Sequence, residues 1–132
     1  MRKICVSDAT LVSQKQNKTP LSFREKIETA RQLDKLGVDV IELPAIEDVN
    51  TDVLLIKTVS SFVTRGTISV PVALDASDLG TVADALAKAK KSRLRLCVPA
   101  SYIKMEYSCH KKPGKILEIV PETVKLCREK CD

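Results

Sequence analysis

Short apolar runs alternate along the chain with longer segments in which apolar residues recur every three or four positions. The short runs are too brief for helices and predict β-strands; they cover 3–8, 38–43, 67–74 and 93–98. The longer segments have the spacing of helices that bury one face; they cover about 22–37, 50–63, 77–90 and 114–130. Residues 9–20 lack an apolar period and predict a loop, and a short helical turn is expected after Ser101. The pattern is four strand-helix units in series.

Individual residues predict where elements begin and end. Ser22 and Glu25 have the spacing of a capping box, and Gly37 supplies a left-handed stop for the same helix. Pro71 cannot donate to a strand ladder, which predicts an edge strand, a bulge or a late start for the third strand. Pro121 is expected to kink the last helix or to open a second one. The expected caps of the second and third helices are Asn50 or Thr51, and Ser77 or Asp78.

Strands that alternate with helices of ten or more residues predict an α/β fold with a parallel sheet and right-handed crossovers. Such units build either an open doubly wound sheet or a (β/α)8 barrel, and periodicity alone leaves both open. No glycine-rich phosphate loop follows any predicted strand, so nucleotide-binding forms of the open sheet gain no support. With 132 residues, of which 44% are hydrophobic, one domain over 1–132 is expected.

The net charge of +5 raises the question of nucleic-acid binding. The basic residues are scattered among acidic ones and aromatic residues make up 3%, which indicates a mixed solvated surface and no nucleic acid. No apolar stretch approaches the roughly 20 residues of a membrane span, and the first residues do not resemble a signal peptide. A cytoplasmic protein without membrane contact is therefore expected. A denser basic cluster is either an anion site or an ordinary exposed loop; it consists of Lys104, Lys111, Lys112 and Lys115.

Five cysteines form an odd set without paired C-x-x-C spacing, which favours reduced thiols. Cys127 and Cys131 lie one helical turn apart and could meet Cys109 and His110 at a zinc ion, although structural zinc sites favour tighter spacing. Buried or terminal thiols are the favoured interpretation.

Residues 23–45, F-R-E-K-I-E-T-A-R-Q-L-D-K-L-G-V-D-V-I-E-L-P-A, closely resemble the first helix and second strand of a known family. It is the group of isopropylmalate synthase, homocitrate synthase and hydroxymethylglutaryl-CoA lyase, the DRE-TIM metallolyases. The resemblance continues at P-A-S-Y-I-K-M-E-Y, residues 99–107, and in the helix at 118–129. That family folds as a (β/α)8 barrel, which typically takes about 250 residues. The resemblance therefore implies a (β/α)4 half of a TIM barrel, the N-terminal one.

In that family the first strand ends in a motif like D-x-T-L-R-D-G-x-Q, whose Arg polarises the keto-acid or stabilises the enolate and whose second Asp binds the divalent metal. Val12 stands here in place of the Arg, and Ser13 replaces the metal-binding Asp. The family's other metal ligands form a His-x-His pair, whereas this chain has one histidine, His110. The resemblance thus implies no metal site and no cofactor within one chain. The motif positions that are kept are Asp8, Thr10, Leu11 and Gln16.

At other positions that follow the strands, this sequence keeps some of the family's residues and replaces others. Lys104 occupies the place of a substrate-contacting His, and Asp75 lies about where an Arg is expected. Glu42 and Ser101 survive at strand ends that would face the active-site mouth. Glu42 is also expected to pair with a neighbouring lysine, and Ser101 to cap a helix.

Half a barrel leaves its first and fourth strands as edges and one sheet face open. A second copy related by a two-fold axis would close eight strands, so a homodimer is favoured. A different half-barrel chain, or rearrangement into an open flavodoxin-like sheet, are the alternatives. The candidates for inward strand residues are Ile4, Val6, Val40, Val72, Leu94 and Leu96, or their alternates.

Three functions follow from the altered motif, and whether the chain is an enzyme stays open among them. The favoured one is a degenerate relative of the synthases that acts as a binding or regulatory subunit without acyltransferase activity. The alternatives are an acetyl-CoA-dependent acyltransferase completed by a partner chain, and a binder of small anionic metabolites. The catalytic candidates are Asp8, Glu42 and Lys104, and the ligand-binding candidates are Thr10, Gln16, Asp75, Ser101, Lys111 and Lys112.

Overall fold

The computed structural model describes residues 4–12 and 20–131. Strands and helices alternate in it as predicted: β1 (Ser7–Asp8), α1 (Phe23–Leu36), β2 (Val40–Glu42), α2 (Val49–Phe62), β3 (Thr67–Val72), α3 (Leu79–Leu86), β4 (Ser92–Leu96), α4 (Tyr102–Tyr107) and α5 (Pro113–Lys130). The strands are shorter than predicted, with β1 reduced to Ser7–Asp8. The predictions for residue 3, Ser13 and Gln16 lie outside the described residues.

The four strands form one parallel sheet in the order β1-β2-β3-β4. Val40 lies beside Thr67 in the register of β2 with β3, and Val72 lies beside Leu96 in that of β3 with β4. The helices α1, α2 and α3 each connect a strand to the next strand of the same sheet, and α4 and α5 follow β4. The fold is therefore α/β, with four parallel strands alternating with helices as in part of a TIM barrel.

The hydrophobic core lies between one face of the sheet and the helices. Ile41, Ile68 and Val70 are buried there against α2 and α3, whose contributions include Val59 and Val82. Because side chains alternate along a strand, the intervening residues face the opposite side of the sheet. These are Val40 and Glu42 on β2, Ser69 and Pro71 on β3, and Arg93 and Arg95 on β4.

The inward candidates of β3 and β4 are corrected by this packing. Val72 is part of the core on the helix side, and Leu94 packs against that core. Leu96 lies beside Val72 in the register and therefore belongs to the same face. The face away from the helices carries their alternates, Arg93 and Arg95 among them.

Pro71 does not mark an edge, because β3 lies between β2 and β4. Thr67 N–H donates to the Asp39 carbonyl at 2.8 Å, and Leu43 N–H donates to the Ser69 carbonyl at 2.8 Å, so alternate residues of β3 bond towards β2. Pro71 is also one of the residues of β3 that are directed towards β2, but β2 ends at Glu42, which lies beside Ser69. A missing N–H therefore costs no ladder bond there.

The first helix begins and ends as the sequence predicts. Ser22 and Glu25 form the full capping box, with the Ser22 hydroxyl accepting from Glu25 N–H and the Glu25 carboxylate accepting from Ser22 N–H. Gly37 ends the helix with φ of 84°, in the left-handed region that favours glycine.

The predicted cap of α2 is wrong by a few residues. Asp48 is the N-cap, and its Oδ1 accepts hydrogen bonds from Asn50 N–H at 2.9 Å and Thr51 N–H at 3.3 Å. In α3 the N-cap is Asp78, as expected, but its carboxylate accepts from Ala73 N–H at 2.8 Å. It therefore ties the end of β3 to the start of α3.

The last helix runs through Pro121 without a break, so the alternative of a second helix that starts there is wrong. The proline ring removes one donor from the helix interior, which costs stability. Ile116 and Thr123 bury one face of α5, and the Thr123 hydroxyl donates to the Leu74 carbonyl at 2.7 Å. These contacts hold the helix in place on both sides of the proline.

Candidate functional site

The predicted site residues within the described ranges lie at the carboxyl end of the parallel sheet. Asp8 and Glu42 are the last residues of β1 and β2, and Asp75 and Ser101 lie in the segments after β3 and β4. Functional groups of α/β barrels gather at this end, because every strand delivers its following loop there.

Glu42 is held by residues from the first and fourth strands. Its carboxylate accepts a hydrogen bond from the Ser7 hydroxyl at 2.8 Å and forms an ion pair with Arg95 Nη1. The side chains of Arg95 and Glu42 are 26% and 24% exposed, so the pair is only partly screened by water. The expectation that Glu42 pairs with a neighbouring lysine is wrong, because an arginine two strands away reaches it.

Arg95 crosses over β3 to make this pair. Its backbone lies beside Pro71, which has a compact ring and leaves the guanidinium a path to β2. The Arg95 Nε atom is buried and has no hydrogen-bond partner in the described part of the chain. The guanidinium therefore contacts Glu42 through Nη1, whereas its Nε makes no hydrogen bond to the described residues.

Asp8 is engaged within its own turn. Its Oδ1 accepts from Thr10 N–H at 3.0 Å, and its Oδ2 accepts from the Thr10 hydroxyl at 3.1 Å. Leu11 belongs to the hydrophobic core and is 2% exposed. The polar pair of Asp8 and Thr10 thus shapes the backbone of the turn that follows β1.

Asp75 also closes a local turn, and it lies near one lysine of the basic cluster. Hydrogen bonds from the Ser77 hydroxyl and then from Ser77 N–H lower the pKa of Asp75 below its ordinary value, with a smaller contribution from the charge of Lys111. Asp75 and Lys111 are two predicted ligand-binding residues that the fold brings close enough to interact.

Two of the candidate residues after β4 are the N-caps of helices. The Ser101 hydroxyl accepts from Lys104 N–H at 3.3 Å, which confirms it as the N-cap of α4. The Lys104 side chain is exposed. Lys112 is the N-cap of α5, and its carbonyl accepts from Lys115 N–H at 3.0 Å. A cavity of about 440 Å³ is lined here by Tyr102, Glu106, His110, Lys111, Lys112 and Pro113.

These residues do not fit the divalent metal that the resemblance would bring. The carboxylates of Asp8 and Glu42 are occupied by Thr10 and by Ser7 with Arg95, whereas a hard cation needs several oxygen ligands directed at one point. Over residues 4–12 and 20–131 no three histidine, cysteine, aspartate or glutamate side chains lie close enough to hold a metal. No chemical step is therefore assigned to a metal.

Comparison with known proteins decides the ancestry of this arrangement. The model of the HMGL-like family matches residues 3–132. The chain belongs to the HMGL-like family. Among its relatives, the 2-isopropylmalate synthase of Neisseria meningitidis serogroup A is 32% identical over 132 residues, which cover 98% of this chain and 25% of that protein. The 2-isopropylmalate synthase 1 of Caldanaerobacter subterraneus is 33% identical, over 100% of this chain and 34% of that protein.

This HMGL-like chain therefore spans about a quarter to a third of the length of the relatives it matches. The predicted resemblance to isopropylmalate synthases is confirmed. In the residues that the structure describes, no helix of the HMGL-like chain is both long and apolar enough to cross a membrane.

The HMGL-like site contains two residues that sequence reasoning missed, Ser7 and Arg95. A signal for Arg95 was present: in S-R-L-R-L two arginines share one face of a strand and two leucines the other. An arginine on the face away from the helices can be neutralised by a carboxylate on the same face of the sheet, and Glu42 on β2 lies on that face.

Proposed function

We propose that this HMGL-like domain does not carry out metal-dependent acyl transfer and acts as a binding or regulatory subunit. The observation that carries the proposal is the Glu42–Arg95 ion pair at the carboxyl end of the sheet. It neutralises a carboxylate at the end of the sheet where the functional groups of this architecture gather. The backbone N–H and the hydroxyl of Thr10 both donate to the Asp8 carboxylate, so this second carboxylate is engaged as well.

The sequence adds two substitutions at the end of the first strand. Val12 is aliphatic where the family motif has an arginine, and Ser13 offers a hydroxyl where the motif has the metal-binding carboxylate. Loss of one preorganised electrostatic stabiliser commonly lowers the rate by about 10²–10³. Loss of two, together with the metal, would leave no turnover of physiological use.

The test is a condensation assay with acetyl-CoA, a panel of 2-oxo acids and Mg²⁺ or Mn²⁺. Released CoA is detected by chromatography, because thiol reagents would also react with the exposed Cys5 and Cys97. The 2-isopropylmalate synthase of Neisseria meningitidis serves as the positive control. We expect release equal to the protein-free blank. CoA release that depends on both metal and 2-oxo acid would overturn the proposal.

A second candidate function is binding of a small anion at the basic cluster. It is favoured by the cavity in which Lys111 and Lys112 lie beside His110 and Tyr102. Two ammonium groups at one cavity provide the charge that a phosphate or carboxylate requires. This function is compatible with the first, because a regulatory domain needs a ligand to sense.

A further inference from the structure

The two ends of the sheet carry most of the exposed apolar surface. Of the twelve large apolar side chains that are exposed in the described residues, ten lie at the β1/α1 end or at the β4/α4/α5 end. Ile4 is 83% exposed and Leu36 is 79% exposed at the first end, and Leu117 is 75% exposed at the second. Concentrated exposure of this kind marks an interaction surface, whereas scattered apolar residues do not.

Each end also presents a groove, and the two grooves differ in charge. The groove along α1 has an apolar floor that includes Leu33 and Leu36, and its charged residues are Glu25, Glu28 and Lys35. The groove between β4 and α5 is lined by Leu94, Leu96 and Val124 together with Lys90, Lys91, Arg93 and Arg128. The first groove therefore carries a net negative charge, whereas among the described residues that line the second are the cationic Lys90, Lys91 and Arg128 and no carboxylate.

We propose that these two ends form one interface, repeated twice, between two copies of this chain. β4 of one protomer then lies beside β1 of the other, and α5 packs against the α1 of the partner. The strands of the sheet all run parallel, so β1 offers β4 a partner of the required direction. A two-fold axis along the barrel would satisfy both open edges of both copies at once and give eight strands.

A second copy fits this surface because it brings both complementary grooves together. A partner that covered one end would leave the other edge strand and its apolar residues in water. Apolar contact supplies the affinity, and the opposite charges of the grooves fix which end meets which. The inference does not depend on whether catalysis has been lost, because the grooves lie outside the Glu42–Arg95 pair.

The first experiment is the mass of the 132-residue chain by light scattering across a range of concentrations. We expect a dimer whose dissociation constant rises with ionic strength, because the groove charges are screened by salt. A monomer at every concentration would overturn the inference.

The second experiment reverses charges in each groove. Glu28→Lys in the α1 groove and Arg128→Glu in the β4/α5 groove each place like charges across the interface, and each is expected to weaken dimerisation at least about tenfold. Both side chains are exposed, so far-UV circular dichroism should show an unchanged fold. Matched controls on the middle helices are Asp84→Lys and Lys57→Glu, which should dimerise like the parent chain.

Mixing the two charge-reversed variants gives the decisive outcome. In a mixed dimer, one interface joins the substituted α1 groove to the substituted β4/α5 groove, so opposite charges face each other again. The other interface joins two parent grooves. We therefore expect the mixture to dimerise with near-parent affinity. A dimer that either reversal leaves unaffected, or a mixture that stays as weak as its components, would show that another surface is used.

Discussion

Arg95 on the fourth strand reaches across the third strand to form an ion pair with Glu42 on the second. The Ser7 hydroxyl completes the environment of that carboxylate from the first strand. Three of the four strands thus meet at one group on the face opposite the helices. The Glu42 carboxylate at the carboxyl end of the sheet is therefore engaged by the protein's own side chains.

Removing one member of this pair should destabilise the domain. Arg95→Gln leaves the partly buried Glu42 carboxylate without its counter-charge, so the free energy of unfolding should fall by about 1–3 kcal/mol. Urea denaturation gives the value, and the double variant Glu42→Gln/Arg95→Gln should recover part of the loss. A single-variant cost near zero would mean that the ion pair does not form in solution.

Asp34 should govern the stability of the α2–β3 connection and its dependence on pH. Its carboxylate accepts backbone hydrogen bonds from Gly66 and Arg65, each at 3.0 Å, and from Thr64 at 3.1 Å. Burial acts to raise the pKa of Asp34, but these hydrogen bonds together outweigh it, and the pKa lies below its ordinary value. Asp34→Asn should therefore cost about 1–3 kcal/mol at neutral pH.

The sign of the pH effect follows from the lowered pKa of Asp34. The stabilisation is fully present above the pKa of the unfolded chain, near the ordinary 3.8, and is lost as the pH falls through the folded value. Urea denaturation from neutral to acidic pH should show the gap between parent and Asp34→Asn narrowing in that acid range. A gap that is constant with pH would contradict the assignment, and Asp84→Asn on the surface of α3 is the control.

Replacement by alanine should change the stability of the domain in opposite directions at two glycines. Gly37 has φ of 84° and ends α1, so Gly37→Ala should cost about 1 kcal/mol through backbone strain. Gly80 lies inside α3 with open space at its missing Cβ, so Gly80→Ala should stabilise by about 0.5–1 kcal/mol. Thermal unfolding of the two variants measures both; changes of the same sign would refute the local account.

The anion site predicts a ligand-dependent shift in thermal stability. Citrate or inorganic phosphate should raise the melting temperature of the parent chain, and Lys111→Ala/Lys112→Ala should abolish that rise. A double variant with the same charge change elsewhere, Lys57→Ala/Lys125→Ala, should retain it. Equal shifts in all three proteins would indicate a general salt effect and no site.

Local sequence signals were sufficient to predict the helices and strands. The contacts between residues far apart in the sequence could not be predicted in this way. The capping box of Ser22 with Glu25 and the stop at Gly37 involve residues within one turn, so their spacing alone predicts them. The prediction of an edge strand from Pro71 was wrong, because the cost of a missing N–H depends on where the neighbouring strand ends. A local sequence pattern does not contain that information. The pairing of Arg95 with Glu42 depends on the register of three strands, and that register exists only in the folded sheet.

The sequence predicted that the candidate residues share one end of the sheet, but it did not predict their contacts. Asp8, Glu42, Asp75 and Ser101 do lie at one end of the sheet, because parallel strands deliver their carboxyl ends together. Their hydrogen bonds run mainly within their own segments, which residue type alone does not predict. Ser101, for example, serves as a helix cap.

Titration with Mn²⁺, followed by the electron paramagnetic resonance signal of the free ion, tests most directly whether the carboxylates at the carboxyl end of the sheet are free to bind a divalent metal. Because the Glu42 and Asp8 carboxylates are already engaged, we predict that the free-ion signal in the presence of the chain matches the signal in buffer alone. Stoichiometric loss of that signal, reversed by Glu42→Gln, would contradict the account.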